Sequence, residues 1–217
     1  MDYIITIGRQ YGSGGHEIGE KLAQKLEIPF YDNALIDRVS KNSGLCEEVI
    51  KEHDERPTSS FLYNLVMDTY SGSLTSGSTA DIPFGQKVFL AQFDTVKKIA
   101  DEGPCVLVGR CADYILKDRP NLIKIFIYAD NDFRISRILA ENPDINTAKI
   151  DDIIDKKDRN RANYYNFYSD SKWGHAASYD LCSNSSKLGI DGTVDAIMEY
   201  LSIYSQKSTL TQSLSMN

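Results

Sequence analysis

The chain has 217 residues, 41% of them hydrophobic and 25% charged, with a formal net charge of -7. Those proportions belong to a globular protein with enough chain for a real core, and the length suits one α/β domain with an insertion. The acidic balance excludes the broad basic face that a nucleic-acid polymer would need. No apolar run approaches the ~18 residues of a membrane span. Met1-Asp2-Tyr3 opens directly into a strand pattern, so no signal peptide is expected and the chain reads as cytoplasmic. Cys46, Cys105, Cys111 and Cys182 are scattered, which favours buried free thiols over disulfides.

In chain order, residues 3–8 read as a buried strand, followed by glycines at 8, 12, 14 and 15. Ile18, Leu22, Ala23 and Leu26 recur at helical spacing. Residues 28–31 form a second short strand, and a helix begins near Asn33, taken as its cap, with Leu35, Ile36 and Val39 on its apolar face. The charged segment after Cys46 continues as helix to Pro57, and residues 68–83, rich in Ser, Gly and Thr, form a mobile insertion. Val88, Phe89, Phe93, Val96 and Ile99 mark a long amphipathic helix ending at Gly103. A third strand covers 104–108, a short helix 112–117, a fourth strand 122–129 and a helix 131–141. Residues 147–168 are a polar, arginine-bearing helical stretch. A short strand holds Tyr179 and Leu181, a last helix carries Val194, Ile197, Met198 and Leu201, and 207–217 is a flexible tail.

Strands alternating with helices predict an α/β protein with a mostly parallel sheet of about five strands and helices on both faces. Ligands of such sheets sit beyond the carboxyl ends of the strands, which is where the polar and glycine-rich segments fall.

The first of these segments is strand, glycine-rich loop, helix, the arrangement that cradles phosphate on backbone N–H groups and a helix N-terminus. Fitting G-x-x-x-x-G-K-[ST] with Gly14 sixth puts Arg9 first, Gly15 at the lysine and His16 at the hydroxyl. Gly12, Ser13, Gly14, Gly15 and His16 are therefore candidates to hold a donor phosphate, with Arg9 returning the missing cation. The other reading is a turn that only packs strand on helix. Asp32 and Arg38, six residues apart, either face one cleft or leave Arg38 on a helix surface. Arg110, directly after a buried strand, opens into the crevice with Asp113 three residues on, or else the pair serves a cap or an ion pair. Lys157 and Arg161 share a helix face, as a mobile arm over polyphosphate or as a solvated face. The aromatics Tyr164, Tyr165, Phe167, Tyr168 and Trp173 stack on a base or pack the arm against the body. His16, His53 and His175 have no metal spacing among themselves.

In this order, ITIGRQYGSGG, PFYDNALIDRV, PCVLVGRCADY, IFIYADNDFRISRI, KDRNRANYYNFYSDSKWG and YDLCSNSS resemble the cytidylate kinase-like family, a divergent branch of the nucleoside monophosphate kinases with the P-loop fold. The resemblance runs from residue 3 to about 203 and implies a single P-loop kinase-like domain over 1–206, with a helical lid near 143–175. The family's L-D-S-G-A-x-Y-R resembles Tyr31 to Arg38, its G-R-D resembles Gly109-Arg110-Cys111, and its D-R-x-R resembles Asp158-Arg159-Asn160-Arg161. This implies that Arg38 and Arg110 hold an acceptor phosphate and that Arg159 and Arg161 engage the transferred one. The P-loop lysine and the following small residue are replaced by Gly15 and His16, and position 111 is cysteine where the motif has aspartate.

The resemblance implies transfer of the γ-phosphoryl of ATP to a nucleoside monophosphate, CMP or dCMP first, with Mg²⁺. Asp32 or Asp113 would orient the metal through water, and no residue is assigned as a direct metal ligand. The competing functions are a nucleotide-binding sensor or partner-binding protein without useful transfer, and a kinase for another small phosphorylated acceptor. Oligomeric state is not legible.

Overall fold

A computed structural model of the chain describes residues 3–48, 50 and 84–215. The insertion expected at 68–83, the helix expected to reach Pro57 and His53 all lie wholly or partly outside these residues.

Five strands form one parallel sheet: β1 (Ile4–Arg9), β2 (Phe30–Tyr31), β3 (Cys105–Val108), β4 (Leu122–Tyr128) and β5 (Leu181–Asn184), in the order β2-β3-β1-β4-β5. The register sets Ile4 beside Cys105 and Leu122, and Ile7 beside Val108 and Ile125. Side chains alternate across a strand, so both faces of β1 and β3 have to be covered. Ile5, Ile7, Val106, Val108, Ile123, Ile125 and Ile127 pack on α1 (Gly15–Leu26) and α7 (Ser185–Ser215). Ile4, Cys105 and Leu107 pack on the other side under α2 (Asn33–Ser43), α3 (Phe84–Glu102), α4 (Ala112–Ile115) and α6 (Ile150–Tyr168). Burial on both faces explains why these strands are continuous apolar runs without polar alternation.

Between β4 and α6 lies α5 (Asn131–Glu141). A small apolar cluster of Ile138, Ile150 and Ile154 joins α5 to the first half of α6, and Tyr164, Tyr165 and Tyr168 seat its second half in the main core. The middle of α6 is thereby suspended over the carboxyl ends of the strands. Tyr168 is fully buried, stacked on Phe89 at 3.8 Å between ring centroids. The aromatic residues of this segment thus pack the arm against the body.

Helix α7 runs on to Ser215, through residues expected as a tail; after a break in helical geometry at Gly189, no glycine or proline beyond Gly192 interrupts it. Cys105 and Cys111 are buried free thiols, the Cys105 thiol pushed up to about 11 by burial, whereas Cys46 is exposed and Cys182 half-buried. Among the described residues no helix is long and apolar enough to cross a membrane.

Candidate active site

At the end of β1 the chain turns through residues 10–14 and enters α1 at Gly15, with Gly14 as N-cap at φ 77°. That left-handed geometry favours glycine; a Cβ there would also lie 2.2 Å from Ile190 Cδ1 and 3.4 Å from Arg137 Nε. The first turn of α1 leaves backbone N–H groups without intrahelical acceptors, directed at the loop. Ser13 is fully buried; its hydroxyl donates to the Gln10 carbonyl at 2.8 Å and its own carbonyl accepts from the Ser185 hydroxyl at 2.6 Å. Ser13 therefore shapes the loop from beneath, and the space above it is a cleft of about 440 Å³ lined by Gly12, Gly14, Gly15, His16, Arg9, Asp32, Arg137 and Arg161 among others.

Asp32 is the centre of the charge arrangement. One carboxylate oxygen accepts from Arg110 Nη1 at 2.7 Å and lies 3.9 Å from Arg9 Nη2, and the other lies 2.5 Å from His16 Nδ1. Burial alone would push this carboxyl up, but Arg9 and Arg110 outweigh it and hold it below the usual carboxylate range. Asp32, not Asn33, occupies the N-cap of α2, yet its side chain makes no cap hydrogen bond. One oxygen is taken up by the two arginines and the other by the His16 ring.

Gly109, Arg110 and Cys111 all have positive φ, at 75°, 54° and 55°. Two consecutive non-glycine residues in that region carry strain of about 1–3 kcal/mol each. The turn aims Arg110 into the site, where it is 3% exposed. Asp113 lies on the wall of an inner recess of about 20 Å³, room for about one water. Tyr165 donates to its carboxylate at 2.6 Å, and burial pushes the Asp113 carboxyl up. Arg9, Arg110 and Arg161 also line this recess, so Arg9 and Arg161 stand on the wall between recess and cleft.

The lid helix is tied to the loop through Tyr11 and Arg134, which sequence reasoning missed. Tyr11 N–H donates to Asp158 at 2.7 Å, Arg134 Nε donates to the Tyr11 carbonyl at 2.7 Å, and Arg134 also pairs with Asp158. Lys157 and Arg161 both lie over the Tyr11 ring, at 5.9 and 5.8 Å. Arg161 Nη1 donates to the Arg9 carbonyl at 3.1 Å. Arg137, on α5, was missed as well. Its Nη2 donates to Glu17 and Glu141, both at 2.9 Å, while its buried Nε has no partner and overlooks Gly14. The arginines three residues apart just after β4 were the available signal.

Arg38 and Arg159 stand apart from this group. Arg38 donates to Tyr31 Oη at 2.9 Å and pairs with Glu102, and it lines neither the cleft nor the recess. Arg159 is exposed and lines neither. Among the described residues no group of three potential metal-binding side chains comes together.

The profile of the cytidylate kinase-like family matches residues 4–187. Among solved structures, an uncharacterized protein from Eubacterium ventriosum is 30% identical over 92% of this chain and 98% of its own, with a TM-score of 0.69. Shikimate kinase from Bacteroides thetaiotaomicron shares the fold at 15% identity, covering 93% of this chain and 99% of its own, with a TM-score of 0.54. No curated protein sequence matches the chain.

Proposed function

The chain belongs to the cytidylate kinase-like family, whose P-loop kinase fold it has, and from that premise we propose that it transfers the γ-phosphoryl group of ATP to a nucleoside monophosphate, CMP or dCMP in particular. The observation that carries this reading is the convergence of Arg9, Arg110 and Arg161 on the recess beside the glycine-loop cleft from three separate elements: β1, the β3–α4 turn and α6, with Arg9 and Arg161 lining the cleft as well. Three buried or half-buried cations next to a helix N-terminus are costly to assemble, and a polyphosphate is the ligand that offsets that cost. Phosphoryl transfer needs this equipment, because its catalysis is mostly positioning and neutralisation of charge.

The residues fit the donor. Backbone amides from Gly12 to His16 cradle its phosphates in the cleft above the loop, and the unpartnered Arg137 Nε beside Gly14 supplies a further N–H at its edge. Arg110, anchored by Asp32, faces the acceptor phosphate, with Asp113 and Tyr165 behind it. Arg161 closes from the lid, with Arg159 on the outer side. Arg38 is drawn toward Glu102, so its part in acceptor binding requires release of that pair.

Magnesium enters as the complex with ATP, whose charge it shields. The chain offers no hydroxyl at position 16, and the two oxygens of Asp32 are already engaged by Arg110 and by His16 Nδ1. Asp32 therefore fits better as the anchor of Arg9, Arg110 and His16 than as a metal ligand.

The test is ADP release with MgATP against CMP, dCMP, UMP, AMP and GMP. Turnover is expected with CMP or dCMP well above the others. Nucleotide binding without turnover on any acceptor would replace this reading by a sensor.

A further inference from the structure

A phosphate-binding loop of the G-x-x-x-x-G-K pattern has glycine first and lysine seventh. Here position 9 is arginine and position 15 is glycine. The structure explains the pair together. A Cβ on Gly15 would lie 2.5 Å from Arg9 Cβ and 3.1 Å from Arg9 Cγ, with Ile127 Cβ at 3.5 Å behind. The two closest atoms are the root of a side chain fixed to β1, so they cannot swing aside as a flexible tip could. Gly15 is not among the positive-φ residues, so its backbone accepts any side chain and only space forbids one. Residues 9 and 15 thus share one volume at the mouth of the loop, and only one of them can fill it.

We propose that the glycine and the cation of the loop have exchanged places, so that Arg9 is the side chain that meets the donor's β- and γ-phosphates. This rests on the phosphoryl-transfer reading and deepens it. Arg9 is well placed for the task. Its side chain is only 11% exposed, stands on the wall between cleft and recess, and lies 3.9 Å from the carboxylate of Asp32, itself fixed by Arg110 and His16. Arg161 holds the Arg9 carbonyl. A guanidinium adds what the ammonium lacks: a planar fork that can grip two phosphate oxygens at once, with its charge fixed at any working pH.

The test is the affinity for MgADP, measured by calorimetry, of the wild type, Arg9→Met, Arg9→Gly, Gly15→Lys and the double variant Arg9→Gly/Gly15→Lys. Arg9→Met keeps the stem and removes the charge, so it separates binding from folding; it is expected to weaken MgADP by about 10- to 100-fold. Gly15→Lys alone overlaps the Arg9 stem and is expected to lower the melting temperature. In the double variant the glycine and the lysine return to the usual positions, and most of the affinity lost in Arg9→Gly is expected back. Wild-type affinity in Arg9→Met, or a double variant that binds no better than Arg9→Gly, overturns the exchange while leaving nucleotide binding intact. A wild type that binds no MgADP overturns the phosphoryl-transfer reading itself.

Discussion

Asp32 stands at the N-cap of α2 without capping it, and its neighbours show why. A cap bond contributes about 1 kcal/mol, whereas leaving the Arg110 guanidinium unpaired at 3% exposure costs more. Asp32→Asn removes the charge and keeps the shape. It is expected to destabilise the fold by about 3 kcal/mol at pH 7, read from urea melts. Because the folded-state carboxyl is held below its ordinary value, its contribution is complete above about pH 4 and is lost as pH falls through the folded value. The gap between wild type and variant should therefore close on acidification, and equal melts at pH 7 would remove the anchoring role. Single residues were the least legible feature of the sequence. Arg110 could be placed because a buried strand ends just before it. The course of Arg38 could not, because its partner Glu102 lies 64 residues on, at the far end of α3. Arg137 drew no notice because its approach to Gly14 exists only once α5 packs beside the loop.

At the scale of elements, period and apolar run-length were enough for β1 and β3, buried on both faces over most of their length, and for β4, where Ile123, Ile125 and Ile127 keep one face buried, so that they have little freedom in composition. β2 was less clear, since only Phe30 and Tyr31 pair, through Val106 and Leu107, and Ile28 and Pro29 precede the strand. The lid helix carries the next prediction. Residues two apart on a helix point about 200° from each other, so Arg159 and Arg161 cannot face one cleft from one rigid α6. Arg161→Ala removes a cation from the cleft and the donor to the Arg9 carbonyl; turnover is expected to fall by about 100-fold or more. Arg159→Ala, on the exposed side, is expected to stay within about threefold. The measurement is steady-state turnover of both variants beside their thermal melts. Equal losses would mean that the helix rotates or unwinds between the state described and the reacting one. The sequence presents the two arginines as one motif, and only the pitch of the helix separates them.

The whole molecule is acidic, and its cleft is mixed in charge: Arg9, Arg137 and Arg161 line it together with Glu17, Glu20, Asp32 and Glu141. A formal net charge of -7 disfavours the approach of polyphosphate, yet Arg9, Arg110 and Arg161 meet at the recess beside the loop, where low-dielectric walls concentrate their field. In the unliganded state these cations repel one another, and Asp32 offsets only part of that. A bound polyphosphate lessens the repulsion and adds a further tie between the loop, α5 and the lid, which meet in the apolar cluster around Ile138 and in the polar contacts of Tyr11 with Asp158, Arg134 with Tyr11 and Arg161 with Arg9. Stabilisation by a ligand follows from affinity alone, about 2.7 kcal/mol at a concentration 100 times Kd. For a chain of this length that corresponds to a rise in Tm of roughly 5–10 °C. MgATP is therefore expected to raise the melting temperature by that amount with no acceptor present, and Arg9→Met, tested at the same concentration, is expected to lose about half of the rise or more. CMP added to MgATP should raise Tm further, because Arg110 is carried by a turn separate from the loop and its phosphate site does not overlap the donor's. A thermal scan with each nucleotide alone and with both decides it. Rises that do not exceed the larger single value would mean that donor and acceptor compete for one set of arginines, and the two-sided cleft would have to be abandoned.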